Sequence, residues 1–184
     1  MAKLPFDGTK LSADDRAIYD AMVARRKARG APFGGPYDAL MNHPQLCKRV
    51  EELGFYLKFQ GHLPRDVYQF VVLAVARRTG AAFEWVDHVA HAREAGVPEA
   101  VIATLRDPVL EPGRFPPPYD LAAAVLAATL PWKDIPAPVQ EGAIARFGME
   151  GFLELVVLVG FYEMFSGINQ GFAVALPPGT PPPF

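Results

Sequence analysis

The chain has 184 residues, half of them hydrophobic, and a net charge of -2. That is enough for one well-buried domain, and the near-balanced charge gives no electrostatic basis for binding nucleic acid. The single cysteine, Cys47, excludes an intramolecular disulfide and a two-cysteine redox centre within one chain.

Helical signals follow one another along the chain. Leu11-Ser12, with Asp14 and Asp15, opens a first helix. It ends at Gly30 after a basic run, Arg25, Arg26, Lys27 and Arg29, that reads as a solvated last turn. Ala31 to Tyr37 is a Gly/Pro loop. His43-Pro44 starts a second helix whose apolar stripe is Leu46, Val50, Leu53 and Leu57. Cys47 on this helix reads as a small core residue. His43 and His62 sit at helix boundaries, where capping or turn roles are expected.

Pro64 begins a third helix through Arg78, closed by Thr79-Gly80, and a fourth spans about Ala82 to Ala95 with Gly96 as its stop. A short fifth runs from Pro98 to Leu105. Asp107 to Pro118 holds five prolines and reads as a loop. Tyr119 to Leu130 is Ala-rich and helical, as are Pro136 or Ala137 to Phe147 and Met149 to about Ala175. The tail, L-P-P-G-T-P-P-P-F, is extended. No alternating run calls for a sheet, so the expected fold is one all-α domain.

The last helix is apolar nearly all round between Phe152 and Tyr162, which predicts burial partly within the subunit and partly against a second one. The apolar stretch Phe152 to Phe165 contains Glu154 and Glu163 and is short for a bilayer span. The opening M-A-K-L-P-F-D-G has no apolar signal core. A cytoplasmic location with no membrane partner is expected.

The segment F-E-W-V-D-H-V-A-H-A-R-E-A-G, Phe83 to Gly96, is the chemically richest. Glu84 and His88 are four apart, one helical turn, with Trp85 beside them. A carboxylate next to an imidazole is an acid–base pair if it is shielded, and a solvated surface contact if it is not. Glu84, His88 and His91 share one stripe and suit zinc or iron, with Glu94 at its edge. However, bundle metal sites usually draw ligands from several helices, His91 can equally pair with Asp87, and Glu94 reads most simply as a solvated residue. A third reading is a non-catalytic oligomer that binds an apolar ligand. It would be favoured if Glu84 and His88 lay on open solvent.

Several phrases carry a family resemblance. They are G-P-Y-D-A-L-M-N-H-P at Gly35 to Pro44, L-P-R-D-V-Y at Leu63 to Tyr68, and A-V-A-R-R-T-G-A-A-F-E-W-V-D-H at Ala74 to His88. A-R-E-A-G-V follows at Ala92 to Val97, then E-L-V-V-L-V-G-F-Y at Glu154 to Tyr162 and I-N-Q-G-F-A-V-A-L-P at Ile168 to Pro177. Together they resemble the carboxymuconolactone decarboxylase family within the alkylhydroperoxidase D-like superfamily. The resemblance implies an all-helical, homo-oligomeric fold, as a trimer or hexamer, with 35–177 as the core of a single domain over 1–184 and 178–184 as a Pro-rich tail.

The peroxidase branch places two cysteines where this chain has Ala81 and Glu84, so the resemblance implies no dithiol peroxidase chemistry. That branch also carries a glutamate at the position of Gln69. A glutamine can orient a group but cannot take a proton. The Glu84-Trp85 and His88 pattern matches the decarboxylase-like branch.

The resemblance therefore implies a cofactor-independent lyase acting on a small lactone or carboxylic acid in aromatic-compound catabolism. His88 is expected as the acid–base residue, oriented by Glu84. Gln69 is expected to bind a substrate oxygen. Trp85, Tyr68 and Arg77 (or Arg78) are expected to bind substrate, an arginine holding its carboxylate. The alternatives are an alkylhydroperoxidase-like protein without its cysteines, or a ligand-binding helical oligomer.

Overall fold

The computed structural model describes Leu4 and residues 6–28, 34–111 and 113–184. After a turn of 3-10 helix at Gly8–Lys10 come eight helices: α1 (Ala13–Ala28), α2 (Pro36–Leu40), α3 (Pro44–Phe59), α4 (Arg65–Thr79), α5 (Ala82–Glu94), α6 (Glu99–Thr104), α7 (Tyr119–Thr129) and α8 (Ala137–Gly171). Among the described residues there is no strand, and Thr129 and Trp132 form an isolated bridge. The fold is all-α.

The expected stop of the first helix at Gly30, Arg29 of the basic run and residues 31–33 of the expected loop lie outside the described residues, as does Pro112 of the proline-rich loop. Pro36 and Tyr37, expected in that loop, belong instead to α2. The proline supplies a preset φ in the first turn of this short helix.

Helix α4 is the axis of the molecule. Every residue from Val67 to Ala76 is buried, and α5, α7 and α8 pack around it. A helix apolar on all faces has to be enclosed on all faces. Its one wholly buried amide, Gln69, is therefore set among apolar neighbours, where it requires a partner.

Two turns of the same kind bound α5, and the first, at Gly80, folds it back on α4. Gly80 takes φ 73°, with Gly80 N–H on Arg77 O and Ala81 N–H on Ala76 O at 2.8 Å. At the other end Gly96 takes φ 91°, with Gly96 N–H on Arg93 O and Val97 N–H on Ala92 O at 2.9 Å. These paired bonds satisfy carbonyls that a helix end leaves open, and they reverse the chain sharply. The result is an α4–α5 hairpin that brings Gln69 and His88 face to face.

The two helices expected at the C-terminus run as one element interrupted at Gly148, whose φ of 76° and ψ of 170° are not helical. The element ends at Gly171, not near Ala175. Val174 N–H closes onto Asn169 O at 2.8 Å while Ala173 adopts φ 50°, which stops the helix. By length and composition α8 is the one described helix able to cross a membrane, longer than the Phe152 to Phe165 stretch suggested. Just over half of its most apolar window (56%) is buried inside the molecule, as for a central bundle helix. Leu155, Leu158 and Val159 are enclosed, while Leu153 and Val157 are exposed.

The apolar stripe expected on α3 is rotated. Cys47, Val50, Glu51 and Leu57 face inward, whereas Leu46 and Leu53 are exposed. Arg25 on α1 reaches Glu51 at 2.6 Å, so an ion pair occupies part of the face expected to be purely apolar. Cys47 is enclosed, and burial pushes its thiol up to about 12, so it stays a thiol at neutral pH.

The boundary histidines act differently from expectation. His43 is the N-cap of α3, but its side chain makes no capping bond. His62 joins a tertiary clamp. Glu154 of α8 accepts hydrogen bonds from His62 Nδ1 and Tyr56 Oη, each at 2.9 Å, and from the backbone N–H groups of His62 and Leu63.

Candidate active site

Glu84 and His88 are 3% and 4% exposed and belong to the wall of one cavity of about 730 Å3. The open-solvent condition that would favour a mere binding module is not met. The volume falls in the range of small-molecule sites. Three helices supply the polar groups linked around Glu84 and His88: Tyr68 and Gln69 from α4, Glu84 and His88 from α5, and Tyr162 and Asn169 from α8, with Gln69 and Asn169 behind the cavity wall. Tyr162 and Asn169 are seven apart, two helical turns, and so share one face of α8.

The hydrogen bonds rearrange the expected roles. His88 Nδ1 lies 2.8 Å from Gln69 Oε1, so Gln69, not Glu84, orients the ring. Glu84 Oε2 is 3.7 Å from His88 Nε2, too long for a hydrogen bond. Glu84 is instead held by Asn169, whose Nδ2 donates to its Oε1 at 2.6 Å. With an amide oxygen against Nδ1, that nitrogen carries the proton and Nε2 is an acceptor. The Tyr162 hydroxyl, 3.3 Å from Nε2, donates to it. Tyr162 in turn accepts from Tyr68, 2.8 Å away. Protons thus point from Tyr68 through Tyr162 towards His88.

The electrostatics follow from burial. Removal from water holds His88 well below the ordinary imidazole value, helped by the charges of Lys58, His91 and Arg65, so the ring is neutral at pH 7. The 3.7 Å approach to Glu84 is therefore not an ion pair. Burial raises the Glu84 carboxyl to about 7, against the opposing Asn169 hydrogen bond. Of the pair, Glu84 rather than His88 titrates near neutrality. Burial also pushes Tyr68 up to about 12 and holds Tyr162 well above the ordinary phenol value, so both hydroxyls stay protonated.

Aromatic side chains form much of the remaining wall: Phe55, Phe59, Phe83, Phe161 and Phe165. Gly35, at φ 63°, permits the approach of Phe83, because a Cβ there would come within 2.5 Å of its ring. Cations at the cavity are Arg26, which stacks 4.4 Å over Tyr37, and Lys58 and Arg65.

Two expected substrate-binding residues lie elsewhere. Trp85 is one position on from Glu84 and turns away from the cavity to pack on Phe184, ring centroids 5.7 Å apart. Arg77 stacks 4.6 Å over the same Phe184 and donates to Arg106 O. Arg78 donates to Pro108 O and Leu130 O. All three hold the C-terminal tail or neighbouring loops. Tyr68 does line the cavity, as expected. Gln69, expected to bind substrate, spends its oxygen on His88 and leaves its Nε2 buried without a partner, as is Asn169 Oδ1.

His91 pairs with Glu94 at 3.2 Å rather than with Asp87. Among the described residues, no three His, Cys, Asp or Glu side chains converge to hold a metal ion. Tyr162, Asn169, Lys58 and Arg65 were missed. The first two come from a remote helix, and no spacing connects them to α5.

Comparison with known proteins completes the site. Residues 44–129 match the model of the carboxymuconolactone decarboxylase family. Over this segment the chain is similar to that family. The matched carboxymuconolactone decarboxylase segment includes Gln69, Glu84 and His88, while Tyr162 and Asn169 lie beyond it on α8. A crystal structure of a protein of unknown function from Agrobacterium tumefaciens, for which the antioxidant defence role of AhpD has been suggested, is similar. The TM-score is 0.60 at 22% identity, covering 74% of this chain and 93% of that one. This likeness supports an AhpD-like fold. No curated protein matches the sequence.

Proposed function

We propose that the protein is a cofactor-independent acid–base enzyme, a lyase of decarboxylase-like type. Its substrate is a small lactone or carboxylic acid from aromatic-compound catabolism in the cytoplasm. One observation carries the reading: a carboxyl and an imidazole, both nearly inaccessible, border one cavity in surroundings that drive their ionisations apart. Pairs of this kind divide acid and base roles.

The roles are the reverse of the sequence expectation. Glu84, protonated in a large fraction at pH 7, is the proton donor, and neutral His88 is a fixed polar partner. In a decarboxylation, the bond from carbon to carboxylate breaks. Its electron pair stays on the substrate carbon, conjugated with an adjacent carbonyl, and CO2 leaves. The Glu84 O–H then delivers its proton to that carbon, and the glutamate takes up a proton from solvent before the next turnover. The Tyr68–Tyr162–His88 chain holds the wall beside this step in one protonation pattern. The aromatic walls exclude water and receive the apolar body of the substrate.

The test is a panel of small lactone acids and 3-oxo acids incubated in D2O, with CO2 release and carbon deuteration followed by NMR. Wild type is expected to turn over at least one member. Glu84→Gln is expected to lose about 10²–10⁴-fold in kcat. Activity should decline as pH rises through about 7, where Glu84 loses its proton. Undiminished turnover in Glu84→Gln would overturn the proposal. Saturable binding with no turnover across the panel would favour a ligand-binding oligomer, which the aromatic walls also suit.

A further inference from the structure

Of the three cations at the cavity, none used by the acid–base reading, Lys58 and Arg65 lie together. Lys58 lies in the last turn of α3, and Arg65 opens α4. Arg65 Nη1 donates to the main-chain oxygen of Lys58, which ties the guanidinium to the end of α3. The guanidinium stacks 5.0 Å from the Tyr68 ring and 5.6 Å from the Phe59 ring, and the Lys58 ammonium lies 5.6 Å from Phe59. Two positive charges are thus gathered around one aromatic side chain in the cavity wall.

Neither has a carboxylate within ion-pair distance among the described residues. By contrast Lys10, Arg25, Lys48, Arg93 and Arg114 are all paired. Like charges held together at a partly dry surface repel each other, and an anion between them would relieve that repulsion. The surrounding charges do not already do so. Burial and then Arg65 depress the Lys58 ammonium, as does Arg26, and the opposing pull of Asp87 and Glu84 is too weak to restore it.

We infer that Lys58 and Arg65 form a carboxylate seat that determines the substrate class: a monocarboxylate on a ring-sized apolar body. The ring lies among Phe55, Phe59, Phe83 and Phe161, and the carboxylate accepts charge-assisted hydrogen bonds from the ammonium and the guanidinium. This moves carboxylate recognition from Arg77 and Arg78, which hold the tail and loops, to the junction of α3 and α4. The inference rests on reading this cavity as the substrate site.

The experiment is calorimetric titration of benzoate, its neutral isostere benzamide, phenyl phosphate and acetate into the full-length protein. Benzoate is expected to bind about tenfold or more tightly than benzamide and acetate. Lys58→Met and Arg65→Met should each bring the benzoate-to-benzamide ratio close to one, and Lys58→Arg should retain most of the preference. Thermal melting checks that each variant is folded, and Arg65→Gln replaces Arg65→Met if that variant is not.

Equal benzoate and benzamide affinity in wild type overturns the seat. So does an unchanged benzoate affinity in the folded Lys58 and Arg65 variants. Tighter binding of phenyl phosphate than benzoate overturns the carboxylate assignment, and acetate binding as well as benzoate overturns the ring-sized body. Binding is read without turnover. Failure of Glu84 as the acid would therefore leave the benzoate preference intact, and failure of the seat would leave Glu84-dependent turnover intact.

Discussion

Gln69 Oε1 sits 2.8 Å from His88 Nδ1, and this contact determines which nitrogen of the buried ring carries the proton. A carboxylate at position 69 would favour a charged imidazole; an amide leaves the ring neutral, as its burial also demands. With no charge at position 69 on α4, the ring it holds on α5 carries none either.

Gln69→Leu should leave the His88 Nδ1–H without a buried acceptor. The expected cost is about 1–3 kcal/mol of stability, read as a lowered midpoint in denaturant. Nitrogen NMR of the ring should show the Nδ1–H tautomer losing population. Gln69→Glu should shift the His88 titration upward. A tautomer unchanged in both variants would show that Gln69 does not set the state of the ring.

Glu84 should make stability depend on pH in a defined direction. Its carboxyl is raised from 4.5 to about 7 in the folded protein, so between those values the native state binds more protons than the unfolded one. Stability from this group is complete below about 4.5 and is lost as pH rises through about 7. Glu84→Gln should therefore gain stability over wild type at pH 8.5 by on the order of 1–3 kcal/mol, with little gain at pH 4.5. His88 acts oppositely: its depressed value removes stability as pH falls below 6.5. A wild-type minus Glu84→Gln difference that is flat with pH would contradict the assigned environment.

Dithiol-dependent peroxide turnover should be absent. The resemblance sets Ala81 and Glu84 where the peroxidase branch has its two cysteines, and Cys47 is enclosed as a thiol pushed up to about 12. A peroxide assay with a dithiol reductant, run on wild type and Cys47→Ser, checks this. Robust wild-type turnover would refute the expectation, and its loss in Cys47→Ser would point to one-cysteine chemistry.

A homo-oligomer is expected from an apolar face that the subunit leaves uncovered, and the family resemblance implies a trimer or hexamer. Leu46 and Leu53 of α3 and Met149, Leu153, Val157 and Met164 of α8 are exposed, with a shallow apolar dimple between Leu53 and Val157. Exposed apolar surface of this continuity marks an interaction site. Sedimentation should show the oligomer, and Leu153→Glu with Val157→Glu should release subunits. A stable wild-type monomer at micromolar concentration would sink the idea.

The sequence by itself determined the helical content and most helix ends, because those are local. Pro at first turns and Gly at positions of positive φ, as at Gly80 and Gly96, write the boundaries into the chain. It also determined that Glu84 and His88 share a face of α5, since one helical turn fixes that. It misplaced Trp85 and Arg77, because helical spacing says which residues share a face but not which face meets the cavity. Only the tertiary structure decided that Gln69 from α4 holds His88, that Asn169 from α8 holds Glu84, and that Tyr162 completes the chain. These partners lie 19, 85 and 74 residues away in sequence. The tertiary structure also decided the ionisation order. A carboxyl beside an imidazole reads as an ion pair in water. When packing excludes water from both, the charged forms are penalised, and Glu84 titrates near neutral pH while His88 stays uncharged.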